Sequence, residues 1–224
     1  MQRGAGSAVR AVAVAVLAAG ALATAAAQTP PAPATDSAAA PHAADPAHGK
    51  AVSYTCLGCH GIDGYKNAYP MYSVPELRGQ NPQYLVIALE GYRDGDRAHI
   101  TMHSQTESLS AQDMADVAAY LAGTPLKSGG KPAGALPQAA QVCVSCHGQD
   151  GIAVAPIYPS LAGQHADYIV RALNEYKHGG RKNLVMKQFA GNLKDEDIAE
   201  IAAYFSQLTP SLATEPRPYT RLSE

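Results

Sequence analysis

The chain has 224 residues, 46% hydrophobic and 16% charged, with a formal net charge of −2. This composition supports a packed core and excludes a chain disordered throughout, and the length allows one or two domains. Near-neutral charge argues against nucleic acid, which needs a strong basic excess in its partner, and 4 cysteines are too few for a dense disulfide scaffold.

Residues 1–27 read as a secretory signal peptide. Arg3 and Arg10 precede an Ala/Val/Leu run from Ala11 to Ala27, and the small residues Ala25 and Ala27 place the cut after Ala27. The alternative is a retained anchor, for which the run is short and Ala-rich. Export implies an oxidising compartment, where free thiols need a reason to persist. Without those two arginines the chain has 15 basic and 19 acidic residues. Residues 28–45 form a Pro/Ala-rich tether, a composition that runs on to Ala47.

Two copies of one unit follow. Residues 46–123 read as an N-terminal domain, 124–137 as a Pro/Gly/Ser linker, 138–209 as a C-terminal domain and 210–224 as a loose tail. At a constant offset of 84, Leu77, Gly79, Gln80, Tyr84, Tyr92, Arg97, Met102 and Tyr120 recur as Leu161, Gly163, Gln164, Tyr168, Tyr176, Arg181, Met186 and Tyr204. The first copy carries three extra residues before Pro75. Apolar spacing predicts helices over 83–92 and 167–176, stopped by Gly95 and Gly179, and final helices opened by Ser110 and Lys194. Sustained strand alternation is absent from the sequence, so the expected class is all-α, two tandem domains related by internal duplication.

The chemistry lies in Cys56-Leu57-Gly58-Cys59-His60 and Cys143-Val144-Ser145-Cys146-His147. Together they use every cysteine, and each His is followed by Gly. This is the c-type haem attachment pattern. Two thiols on one helical turn can each add to a porphyrin vinyl group, and the adjacent His projects toward the iron. A zinc ribbon needs its pairs far closer than the 83 residues between Cys59 and Cys143. A thioredoxin-type site needs a βαβ setting, and two plain disulfides leave the His-Gly sequels unexplained.

Iron held by His60 and His147 needs a second ligand or an open site. Met102 and Met186 occupy equivalent positions, and a thioether is a soft ligand that favours reduced iron. Met114 reads as core, and Met71 lies in the insertion. His103 is a rival ligand in the first copy only. His99, His165 and His178 read as solvated, and His42 and His48 lie in or beside the tether. Pro75 and Pro159 are placed to offer a carbonyl to the ligating His. Tyr84, Tyr168, Arg97 and Arg181 read either as propionate ligands or as packing residues.

Residues 46–209 resemble the dihaem class I cytochromes c of the cytochrome c4 family. The resemblance rests on the paired motifs, the P-x-L-x-G-Q segments ending at Gln80 and Gln164, Met102 and Met186, and the final Ala-Tyr helices. It implies two covalently attached haem c groups with His/Met iron, and domains packed about a pseudo-twofold axis. It also implies periplasmic electron transfer between a quinol-oxidising complex and a terminal oxidase or reductase, with peripheral membrane association open to it. Two departures stand out: the insertion with Tyr65, Tyr69 and Tyr72, and the lack of a Gly49 counterpart in the second copy.

Six-coordinate irons predict an electron carrier and not an enzyme. A haem subunit of a periplasmic dehydrogenase of flavocytochrome type is the alternative, and a catalytic dihaem enzyme a third. Loop charges ahead of Met102 and Met186 predict a higher potential for the C-terminal haem.

Overall fold

In a computed structural model of the chain, residues 43–130 and 134–215 are described. The expected signal peptide, the tether up to residue 42, three linker residues and the tail from 216 lie outside them. The described residues are helical, with three isolated β-bridges and no strand. The all-α, duplicated class read from the sequence is therefore the observed one.

The first copy holds α1 (Pro46–Val52), α2 (Leu57–His60), α3 (Pro82–Arg93), α4 (Ile100–Thr106) and α5 (Ala111–Ala122). Asp45 caps α1 by accepting from the Ala47 N–H. Pro82 opens α3, where its missing N–H costs nothing. Ser110 and Asp113 form a reciprocal capping box on α5. The second copy runs η1 (Gln138–Ala140, a 3-10 turn), α6 (Val144–His147), α7 (Ala166–His178), α8 (Leu184–Ala190) and α9 (Asp195–Ser206). Gly179 ends α7 in the left-handed conformation, at φ 85°, where a Cβ is disfavoured.

Each copy packs its last helix against its first long one. Leu85, Val117, Ala118 and Leu121 form the first core; their counterparts Ile169, Ile201, Ala202 and Phe205 belong to a larger second core with Ile198 and Leu208. Fully burying one of the Val, Leu, Ile or Phe side chains contributes about 1.5–3 kcal/mol. Met114 is wholly buried, as its helical position implied, and Met71 is exposed.

The missing Gly49 counterpart has a structural correlate. At Gly49, α1 crosses α5 backbone to backbone, and a Cβ there would lie 2.0 Å from the Asp116 carbonyl oxygen. The second copy has no helix to cross: η1 replaces α1 and seats Ala140 against α9. His48, just beyond the tether, is held in place, because α1 brings its Nδ1 to 2.8 Å from Asp116 Oδ2.

The three-residue insertion belongs to the contact between copies. A hairpin bridge joins Lys66 to Ser73; Ser73 donates through N–H and hydroxyl to Asp167, and Tyr72 lies under the Arg171 guanidinium. Tyr69 projects outward, 97% exposed.

The tail expected to be loose is docked as far as Glu215. Leu212 is buried and donates its N–H to Ala162, Ala213 bridges Arg78, and Thr214 donates to Glu76. Arg78 also pairs with Glu215. Proline richness foretold the irregular backbone, but the anchoring partners, Ala162, Arg78 and Glu76, are all distant in the sequence.

Gly49→Ala should destabilise the protein by about 1–3 kcal/mol, because neither helix backbone can give way. The midpoint of denaturant unfolding measures it; an unchanged midpoint would show that the crossing relaxes freely.

Candidate functional site

The one-turn helix α2 sets Cys56, Cys59 and His60 on one cavity wall, and α4 sets Met102 on the same cavity. Leu85, Ala88, Leu89, Leu121 and Tyr84 supply its apolar lining. In the second copy α6 places His147 in a buried position, and Cys143, Val144 and Met186 pack on that copy's core. All four cysteines are unpaired.

Each imidazole is held from behind. His60 Nδ1 lies 3.0 Å from the Pro75 carbonyl oxygen, and His147 Nδ1 lies 2.8 Å from that of Pro159. A carbonyl accepts only, so Nδ1 carries the proton and Nε2 keeps its lone pair. Burial pushes both rings below the usual histidine range, and the proline carbonyls oppose this only partly. Neutral imidazole is the ligating form. Burial also pushes the Cys56 and Cys143 thiols up. An apolar cavity with two thiols, an imidazole nitrogen and a thioether fits a covalently bound haem.

His103 does not line this cavity; its Nδ1 sits 2.9 Å from the Tyr92 carbonyl oxygen, and the side chain is exposed. His99 is not a solvated residue. It caps α4, its Nδ1 accepting from the Met102 N–H at 3.2 Å, and Asn183 does the same for Met186 at 2.9 Å. The sequence reading missed both caps. A polar residue three before each methionine was the available signal.

Tyr84, Tyr92 and Arg97 form one cluster with their counterparts. Arg97 lies 5.4 and 5.5 Å from the ring centres of Tyr84 and Tyr92, and Arg181 lies 5.5 and 5.4 Å from those of Tyr168 and Tyr176. The two arginines face each other in an antiparallel bridge. Ala98 N–H donates to Gly180 and Lys182 N–H to Asp96, which are equivalent bonds about a local twofold. Lys182 also pairs with Asp96 through its side chain at 3.3 Å. The two loops ahead of the methionines are therefore one structure, and their charges act on both sites together.

Buried polar groups tie the copies near the proline loops. The Gln164 amide bonds the Glu76 backbone, and the Gln80 amide bonds that of Ser160. Glu76 also pairs with His165 at 3.1 Å, so His165 is no more solvated than His99; His178 is exposed as expected.

Two attachment turns, each with its imidazole fixed by a proline carbonyl, define a pair of c-type haem sites. The pattern of the Cytochrome c family matches residues 46–125 and 137–209. Cytochrome c4 of Pseudomonas aeruginosa is 35% identical over 189 residues, covering 75% of this chain and 90% of the relative. The crystal structure of reduced recombinant cytochrome c4 from Pseudomonas stutzeri is similar with a TM-score of 0.59 and 28% identity, covering 74% of this chain and 100% of that one. A thiosulfate dehydrogenase electron acceptor of Stutzerimonas stutzeri is 31% identical over 171 residues, covering 68% of this chain and 78% of the relative. The chain belongs to the cytochrome c family and, within it, to the dihaem cytochromes c4. Two covalently attached haem c groups follow, with the cysteine pairs 56/59 and 143/146 present for them.

The His165–Glu76 pair gives the contact a pH dependence. The bond to Glu76 raises the His165 value above 6.5. Its stability is fully present below 6.5 and is lost as pH rises through the raised value. Burial alone would raise the Glu76 carboxyl, but bonds from His165 and Thr214 outweigh it and hold it below 4.5. That contribution is present above 4.5 and is lost as pH falls through the lowered value. Thermal unfolding should show the pair's support greatest between 4.5 and 6.5. His165→Asn should flatten the alkaline limb; an unaltered limb would show that the pair does not couple to stability.

Proposed function

We propose that the protein is a periplasmic carrier of single electrons between respiratory-chain partners, and not an enzyme. In this reading Cys56, Cys59, His60 and Met102 hold one haem c, and Cys143, Cys146, His147 and Met186 hold the other. The observation that carries it is the convergence of an attachment motif and a methionine on one cavity, with the same arrangement of residues repeated in the second copy. The haem iron supplies a one-electron couple when bound.

The chain's own residues set the terms of that couple. His60 and His147 present neutral Nε2 because Nδ1 donates to a proline carbonyl. The methionine thioethers favour the reduced state. His99 and Asn183 hold the methionine backbones in place. The largely apolar lining of the cavity would favour a small reorganisation on electron transfer.

The outer faces of the two copies differ in a way that suits two partners. In the first copy Thr55, Thr101 and Gln105 line the cavity, and the Thr55 hydroxyl donates to Gln105 at 2.8 Å. The equivalent positions in the second copy are Val142, Val185 and Phe189, all exposed. One face is polar and the other apolar beside the exposed Lys187. Unlike faces support unlike donor and acceptor, with a quinol-oxidising complex and a terminal oxidase or reductase as the pair. The signal-peptide composition supports the periplasm. Among the described residues no helix is long and apolar enough to cross a membrane.

A second reading, the haem subunit of a periplasmic dehydrogenase, is favoured by the likeness to the thiosulfate dehydrogenase electron acceptors of Stutzerimonas stutzeri and Thiomonas intermedia. Co-purification with a dehydrogenase would decide for it.

The oxidised protein should show a near-infrared sulfur-to-iron band of two-iron intensity. Met102→Ala and Met186→Ala should each remove about half of it. Full intensity in either variant would overturn that methionine's assignment.

A further inference from the structure

Gln80 and Gln164 are buried at the contact between the copies, 3% and 4% exposed. Their side-chain amides serve the opposite copy. Gln164 Oε1 accepts from the Glu76 N–H at 3.0 Å, and its Nε2 donates to the Glu76 carbonyl oxygen at 3.0 Å. Gln80 Oε1 accepts from the Ser160 N–H at 2.8 Å, and its Nε2 donates to the Ser160 carbonyl oxygen at 2.9 Å. Each Oε1 also accepts from the next N–H of its own chain, Asn81 or His165. Receiving two N–H donors fixes which end of each amide is oxygen.

The bonded N–H groups are not arbitrary. The Glu76 N–H and the Pro75 carbonyl are the two ends of one peptide unit. That carbonyl is the acceptor for His60 Nδ1. The Ser160 N–H and the Pro159 carbonyl stand in the same relation to His147. A peptide that donates through its N–H is polarised and becomes a stronger acceptor at its oxygen. A stronger acceptor on Nδ1 raises the basicity of the imidazole and favours the oxidised metal.

We propose that Gln80 and Gln164 are crossed positioning residues, each tuning the axial imidazole of the other copy through a single shared peptide. Gln164 acts on His60, and Gln80 acts on His147. The inference rests on the reading of His60 and His147 as iron ligands. It goes beyond that reading in making each haem's environment incomplete without the partner copy. A glutamine that only held the copies together would bond across the contact in the same way, but its loss would not single out the haem of the opposite copy.

The test uses the full-length protein with both haems. In Gln164→Leu the midpoint potential of the haem at Cys56/Cys59 should rise, and exchange of the His60 Nδ1 proton should speed up by less than the about fivefold that losing one whole net hydrogen bond would give, because only the polarisation of that bond is removed. The haem at Cys143/Cys146 and the His147 proton should stay unchanged. Gln80→Leu should give the mirror result. Sites are assigned from Met102→Ala and Met186→Ala. An effect on the variant's own copy, or an equal effect on both imidazoles, would overturn the proposal.

A measurement on the unsubstituted protein stands beside it, should either variant fail to fold. Linkage requires the Glu76 and Ser160 N–H groups to exchange more slowly in the oxidised protein than in the reduced, relative to the core amides of Leu85 and Ile169. Equal relative rates would overturn the relay. Hyperfine-shifted ring signals from His60 and His147 check ligation separately. Their absence would remove the ligand reading, whereas their presence with no response in either variant would remove only the crossed positioning.

Discussion

The hydrogen bond from imidazole Nδ1 to a proline carbonyl is the constraint on which each site depends. It decides the tautomer, and so which nitrogen faces the cavity. It fixes the ring's rotation about the one-turn helices α2 and α6, which are too short to hold a direction by themselves. Proline suits the position because the bond needs only its carbonyl, and its fixed φ keeps the loop in place. The same loops then form the surface on which the copies meet.

A duplicated unit that packs on itself brings equivalent residues face to face at its axis. Arg97 meets Arg181, and like charges there require compensation. Four tyrosine rings supply part of it, with Tyr84 and Tyr168 also accepting from the guanidinium groups at 3.1 and 3.2 Å. A divergence between the copies supplies more. Glu175 bonds Arg181 at 2.6 Å, whereas its counterpart is Gly91, where a Cβ would sit 3.3 Å from the Arg97 side chain. Side-chain symmetry is thus broken, here and at the Lys182–Asp96 pair, while the backbone bonds stay equivalent. The expectation of a higher C-terminal potential treated the two loops as separate. Their mutual bridging removes the basis for assigning their charges to one haem each.

The sequence displayed what is periodic or local. The offset of 84 revealed the duplication, the attachment motifs the chemistry, and apolar spacing α3, α5, α7 and α9. The short helices α1, α4 and α8 lack enough turns to show a period. The caps at His99 and Asn183 were within reach of local rules but were overshadowed by the search for ligands. Contacts between copies left no local trace. The partners of Gln80 and Gln164 lie 80 and 88 positions away. His165 looked solvated because nothing near it in sequence points to Glu76. Repetition of the glutamine in both copies was the one signal, and it told of a role without naming the partner.

The docked segment after Leu208 changes the mechanics of the pair. The chain passes from the first copy to the second through residues 124–137, where Leu126 packs beside Gly79 and Ser128 bonds Asp150. It then returns at Ala213 to bridge Arg78 of the first copy. Two bodies joined at one place can swing like a gate, but a second fastening away from the first removes that rotation. The two attachment helices thus belong to copies braced at both the outgoing and the returning stretch of chain, so a docking partner meets a pair fastened at two places.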